Sequence, residues 1–478
     1  AREPVKTARV RAPLRGGGWT NIASPDPKCQ SGLRSTAAMD TPAPLEGFEP
    51  DRAYASTLDA RASWELGERF EPTGSLYLDG NSLGPLAEET AETLHRVIDE
   101  WRRLGIDGWT RADPPWFGYG EYLGERLSPI VGAEPAEVVV ANSTTTNVHT
   151  LIGTFLAAAA ERERGQKVLV NELDFPTDHY AIRAQLRLRG LDPETNLVSV
   201  DSPDGRTIPE SAVEAALEAN PQVGIVFLPS VLYRSGQLLD IDRLTRAAHA
   251  HDAFAGFDLA HSVGVVPHEL GASGVDFATW CHYKYLNAGP GAIAGLFVAR
   301  QHWGMRPALP GWWGHEKATQ FEMLPRFTPA SGAGAWQIGT IPLLSAAPIE
   351  GATDLVARAG EGAIEAGIRR LRDRSIALTG YLIRLVDRRL PACTVGTPTE
   401  PARRGGHVAL EHPESYRLSA ALNEAGIVVD YRPPNVLRVC PSPYYVGFTD
   451  VWDAVESLRL CIETADYERF DSRPDGVV

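Results

Sequence analysis

Between residues 137 and 298 the chain alternates short runs of β-branched and apolar residues with longer stretches of helical periodicity. Strand-length runs separated by whole helices cannot pair as hairpins. They join by crossovers into a mostly parallel sheet whose two faces are covered by the intervening helices. Seven runs qualify: Glu137 to Ala141, Lys167 to Asn171, Asn196 to Val200, Val223 to Pro229, Ala253 to Asp258, Asp276 to Trp280 and Ala294 to Val298. Helical stretches fall at Thr146 to Ala160, Asp178 to Arg189, Glu210 to Ala219 and Ile241 to His251. The last run follows the turn Gly289-Pro290-Gly291, which permits an antiparallel return. The expected architecture is α/β, a seven-stranded sheet sandwiched by helices.

Beyond residue 345 the pattern changes to one long helix with Ile364, Ile368, Leu371, Leu378, Leu382 and Leu385 along a common stripe. A smaller α/β domain follows, with strands at His407 to Glu411, Ile427 to Tyr431 and Val436 to Val439 and helices at Glu414 to Ala425 and Thr449 to Thr464. The expected division is a segment over 39–90 that packs on the small domain, a large domain over 91–345, and the linking helix with the small domain over 346–478. Residues 1–38 differ in kind, with seven Lys/Arg against two acids and much Gly, Pro and Ser. They read as a disordered extension ahead of Met39 rather than a transit segment, because no amphipathic run accompanies the arginines.

Composition narrows the function. A net charge of −15 argues against a nucleic-acid partner, and no apolar run reaches membrane-spanning length. The five cysteines, Cys29, Cys281, Cys393, Cys440 and Cys461, have neither disulfide-scaffold nor metal-ligand spacing. No metal is expected, and a reducing compartment, the cytoplasm, is the expected location.

In an open α/β sheet ligands collect at the carboxyl ends of the strands. After the first run comes Asn142-Ser143-Thr144-Thr145-Thr146, hydroxyls opening a helix: a helix cap by itself, a phosphate cradle if other groups converge. After the second comes Phe175-Pro176-Thr177-Asp178, an aromatic and an acid that read singly as core packing and a helix-start acid. The fifth ends in Asp258, followed by Leu259-Ala260-His261, and a buried acid there requires a cationic partner. Lys284, held between Tyr283 and Tyr285 after the sixth run, is placed to form a Schiff base. Asp258 and Lys284 are the pair that pyridoxal phosphate requires, the lysine condensing with its aldehyde and the carboxylate keeping its ring nitrogen protonated. At ~3 Å and an effective dielectric of ~20 that attraction is about 5 kcal/mol before desolvation.

From roughly residue 70 onward the chain resembles the kynureninases, pyridoxal-phosphate enzymes of the aminotransferase-like fold (fold type I). The resemblance rests on Tyr77-Leu78-Asp79-Gly80-Asn81-Ser82-Leu83-Gly84, Phe175 to Tyr180, Phe257 to His261, the Lys284 segment and Gly311-Trp312-Trp313-Gly314-His315. It implies that Lys284 carries the cofactor, Asp258 meets the ring nitrogen and Phe175 the ring face, with Pro176, Thr177, Asp178 and His261 beside them. Thr144, Thr145 and Tyr283 would surround the phosphate, Tyr283 also moving protons. Trp312 and Thr340 would reach the phosphate of a neighbouring subunit, which implies a homodimer. Arg438 would hold the α-carboxylate of an amino-acid substrate, with Asn81 and Trp109 also in contact; read alone, Arg438 fits a salt-bridged strand end equally well. The implied reaction is hydrolysis of the Cβ–Cγ bond of L-kynurenine to anthranilate and L-alanine, in tryptophan catabolism or NAD biosynthesis.

Some positions depart from the family pattern. Pro229 stands where some members have serine, and Arg234-Ser235-Gly236-Gln237 replaces an aromatic-Thr-Gly-Gln. Trp109 in place of a histidine points to kynurenine over 3-hydroxykynurenine. Three rivals remain. Gly80-Asn81-Ser82-Leu83-Gly84 fits a serine-hydrolase elbow but leaves Asp258 and Lys284 without a role. A related pyridoxal-phosphate aminotransferase or cysteine desulfurase would share the fold, the latter needing a mobile cysteine where Cys393 and Cys440 sit in apolar runs. A catalytically silent cofactor-binding dimer is opposed by the intact Lys284, Asp258 and Tyr283.

Overall fold

The computed structural model describes residues 48–70 and 73–471; the N-terminal extension and Cys29 lie outside them. Among the described residues thirteen strands run in chain order. They are β1 (Leu76–Tyr77), β2 (Val138–Val140), β3 (Lys167–Asn171), β4 (Leu197–Val200), β5 (Val223–Pro229), β6 (Phe254–Asp258), β7 (Phe277–Trp280), β8 (Gly295–Val298), β9 (Thr394–Val395), β10 (Val408–Glu411), β11 (Ile427–Val428), β12 (Asp430–Arg432) and β13 (Val436–Val439).

Seven of them form the large sheet, in the order β2-β8-β7-β6-β5-β3-β4. The pairs from β7 to β4 are parallel, and β8 runs antiparallel to both β7 and β2. All seven expected strands are present, and the return of β8 follows the glycine turn. Because successive strand residues face opposite sides, β5 feeds two cores at once. Ile225 and Phe227 pack with Phe155 of the helix Thr144–Glu161, while Val226 and Leu228 pack on the other face with Leu217 and Leu244. Each fully buried aliphatic or aromatic side chain there contributes about 1.5–3 kcal/mol.

A four-stranded antiparallel sheet, β12-β13-β10-β9, forms the smaller layer. Two expectations need correction. The single long helix is two, Leu343–Ala359 and Ile364–Arg389, because Glu361 and Gly362 take positive φ (57° and 102°) and turn the chain between them. The strand expected over Ile427 to Tyr431 is split at Val429. The Asn423 side chain bonds both the N–H (3.1 Å) and the C=O (3.3 Å) of Val429, so the residues on either side enter different sheets. Thus β11 pairs in parallel with β1, Leu76 opposite Ile427, whereas β12 pairs with β13.

Candidate active site

The carboxyl ends of β3, β5, β6 and β7 and the start of the helix Thr144–Glu161 open onto one cavity of about 320 Å³, closed from the other side by β12 and β13. Ten of the expected residues line it. Thr144, Thr145, Phe175, Thr177, Asp258 and His261 come from the large-sheet side, with Tyr283 and Lys284. Asn81 and Arg438 come from the opposite side.

Lys284 follows β7, and its loop is held by close packing. Gly84 N–H donates to the Tyr283 carbonyl at 2.8 Å, and a Cβ on Gly84 would lie 2.6 Å from the Lys284 carbonyl oxygen and 2.7 Å from Asn287 Cα. Only glycine permits that approach, which gives the last residue of the Asp79-to-Gly84 motif its reason. Lys284 Nζ donates to His261 Nε2 at 2.9 Å and lies 6.0 Å from the centre of the Phe175 ring. Burial, with Lys284 beside it, holds His261 well below the ordinary imidazole range, so the ring is neutral and able to accept that bond.

Asp258 ends β6, is buried, and accepts from the Ala260 N–H at 2.8 Å. Burial raises its pKa and Lys284 opposes the rise. Asp178 lies against it rather than in the cavity; burial first and the Asp258 charge second push its carboxyl well above the usual range. Burial thus raises both carboxyls, Asp178 the more strongly because the Asp258 charge opposes its ionisation, while Lys284 favours the charged form of Asp258. Phe175 to Asp178 open the helix Pro176–Leu188 with proline at its first position, where a missing N–H costs nothing. Burial likewise keeps the Tyr283 phenol protonated.

Ser143, not Thr144 or Thr145, caps the helix Thr144–Glu161, accepting from Thr146 N–H at 3.3 Å. The two threonines are its first residues, at the positive end of an 18-residue helix.

On the other wall Arg438 has the ion pair that was one of its two readings. Its Nε donates to Asp430 Oδ1 at 2.7 Å and its Nη2 to Asp430 Oδ2 and to Ser82 Oγ, the latter at 2.8 Å. The Ser82 hydroxyl in turn donates to Asp430 at 2.9 Å. Its partners are an acid and a guanidinium rather than a histidine, which removes the serine-hydrolase reading. Asn81 is fully buried, and neither polar atom of its side chain has a hydrogen-bond partner among the described residues. Cys393 and Cys440, pushed up by burial to about 11 and about 12, do not line the cavity.

Pro176, Trp109, Trp312 and Thr340 lie outside the cavity of their own chain. Trp109 packs on Trp313 at 5.3 Å and Trp312 packs on it at 5.7 Å, so both belong to one aromatic cluster. Trp312 is 44% exposed and Thr340 is exposed. Sequence reasoning missed Tyr233, whose ring meets Phe175 edge-on at 5.4 Å, and the charged pair Asp430 and Arg432. Position just beyond the end of β5 was the available signal for Tyr233.

A carboxylate, a lysine amine, an edge of aromatic ring, a helix N-terminus and orphaned polar atoms at Asn81 and His261 Nδ1 fit a flat, cationic-ring cofactor bearing a phosphate. Comparison with known proteins agrees. The chain is 43% identical over 434 residues, 90% of its own length and 99% of the other's, to a kynureninase of Geobacillus thermodenitrificans. The chain belongs to the kynureninase family. The sequence profile of the kynureninase C-terminal domain matches residues 371–458, which hold β9 to β13. Solved structures extend the likeness at the level of fold. A C-DES structure with glycine covalently linked to its PLP cofactor gives a TM-score of 0.69 at 17% identity, covering 81% of this chain and 97% of that one. The apo cysteine desulfurase of Thermococcus onnurineus gives 0.68 at 16%, covering 82% and 95%. The chain thus shares its fold with a cysteine desulfurase, and the cysteine that lines its cavity is Cys281, buried just after β7.

Proposed function

We propose that this chain is a pyridoxal-phosphate-dependent hydrolase that cleaves the Cβ–Cγ bond of L-kynurenine to anthranilate and L-alanine. The observation that carries the reading is the convergence of Lys284 and the buried Asp258 on one cavity in a chain of this family. Pyridoxal phosphate supplies, when bound, a carbonyl that condenses with amines and a ring that accepts electrons from the α-carbon. Asp258 would keep the ring nitrogen protonated, its charged form favoured by Lys284. Phe175 covers the ring face. Thr144 and Thr145 present hydroxyls and free N–H groups to the phosphate at a helix N-terminus.

Lys284, once the substrate amine has displaced it, would take the proton from the substrate's α-carbon. Neutral His261 accepts from the lysine and steers it. Water adds to the γ-carbonyl, and as that hydrate collapses the protonated Tyr283 phenol gives a proton to the departing β-carbon. Arg438, with one N–H not engaged by Asp430, Ser82 or the Tyr233 carbonyl, supplies positive charge for the α-carboxylate, and Asn81 supplies an uncommitted amide to the substrate.

We read the active unit as a homodimer in the cytoplasm. Trp109, Trp312 and Thr340 lie outside their own cavity and, with exposed Phe321 packed on Trp312 at 5.5 Å, suit delivery to a neighbour's. Trp109 then selects the aryl ring, favouring kynurenine over 3-hydroxykynurenine. Incubating holoprotein with each substrate and quantifying alanine with the matching anthranilate tests the proposal. Equimolar products are expected, faster from kynurenine, whereas alanine from neither would sink it.

A further inference from the structure

Arg438 is nearly used up within the chain. A guanidinium has five N–H donors, and four hydrogen bonds already engage it: two to Asp430, one to Ser82 and one from Nη1 to the Tyr233 carbonyl. Its side chain is 1% exposed. The second guanidinium on this wall is in the opposite situation. Arg432 lies two residues from Asp430 on β12 and so on the same face of the small sheet, and Asp430 stands directly across from Arg438. Arg432 lines the same cavity with its side chain 28% exposed. Its bonds are to Asp430 Oδ2 at 2.8 Å and to the Tyr431 carbonyl at 2.8 Å.

Charge on this wall is unbalanced in one direction. Two guanidiniums face Asp430 and Asp79, but burial and the neighbouring Asp430 charge push the Asp79 carboxyl up to about 7. Near neutral pH Asp79 carries only part of a charge, so the wall presents excess positive charge to the cavity. One carboxylate complements it, and a guanidinium receives a carboxylate through paired N–H donors.

We propose that Arg432 is a second carboxylate-binding residue of this site, meeting the α-carboxylate of the amino-acid substrate from the cavity while Asp430 clamps Arg438 behind it. This rests on the reading that the cavity takes an amino acid, and it adds the group that distinguishes an amino acid from the corresponding amine. Asp430 is then a positioning residue for both guanidiniums.

The test is spectral titration of the holoenzyme with L-alanine, beside inhibition by decarboxylated kynurenine, the amine lacking only the carboxylate. Arg432→Gln should weaken L-alanine roughly 10- to 100-fold, the loss of a charge-assisted hydrogen bond, and leave the amine's inhibition constant unchanged. Equal weakening of both ligands, or of neither, overturns the proposal. Should Arg432→Gln fail to fold, Arg432→Lys decides by the same pair of readings, since it keeps the charge but loses the planar fork. Normal L-alanine titration without kynurenine cleavage by the parent protein would instead overturn the proposed reaction alone.

Discussion

On the large-sheet wall Asp258 accepts one backbone N–H, from Ala260, with Lys284 supplying opposing charge. On the small-sheet wall Asp430 has two guanidiniums and a serine hydroxyl. Both are buried acids at strand positions, yet they do different work. Asp430 is neutralised inside the chain, so its pKa is held below the usual range and its contribution is structural order. Asp258 is only partly compensated, and its charge is available to a ring nitrogen. A buried charge that the fold satisfies shapes a site, and one that it leaves partly unsatisfied is available to react.

That contrast is broken most severely by exchanging each acid for its amide. Asp258→Asn removes about 5 kcal/mol of attraction to the ring nitrogen, so turnover of kynurenine should fall roughly a thousandfold or more. The cofactor-free protein should lose no stability in urea, because an under-compensated buried charge has been removed. Asp430→Asn should reverse the pattern. With Arg438 left buried and uncompensated, unfolding free energy should drop by about 3–5 kcal/mol, read as a lower urea midpoint. Equal stability losses in the two variants would erase the distinction between the walls.

A finer probe is Asp79, whose folded carboxyl sits near 7 against 3.8 unfolded. A raised acid binds protons more tightly in the folded chain, so this group's contribution to stability falls as pH rises from about 4 to about 7 and levels off above. Asp79→Asn should flatten that part of the urea-midpoint profile against pH. Superimposable profiles would place the charge imbalance elsewhere.

Much of the large-sheet wall was legible in the residues. The β-branched runs are separated by helices long enough to force crossovers, and Asp258 and Lys284 follow strands whose ends had to share one edge. The small-sheet wall was not. Its meaning depends on the register that sets Asp430 opposite Arg438, and on the Asn423 side chain that splits Ile427 to Tyr431 between two sheets. Arg438 could be identified but its engagement by Asp430 and Ser82 could not, and Arg432 gave no signal until its strand had a face. Trp109 and Trp312 stand apart for another reason: their place is in an aromatic cluster joined through Trp313, which no strand-end argument reaches.

The central claim is that Lys284 is the lysine that holds the cofactor, and the chain's composition makes this unusually easy to test. It has only five lysines, of which Lys6 and Lys28 fall in the N-terminal extension. Lys317 is occupied by the Trp313 carbonyl and the Trp313 ring, and Lys167 begins β3 at the end of the sheet away from the cavity. Borohydride reduction of the holoprotein followed by peptide mapping should find the pyridoxyl group on Lys284 and on no other lysine. Label on another lysine, or on none in protein that carries the cofactor, would contradict the account.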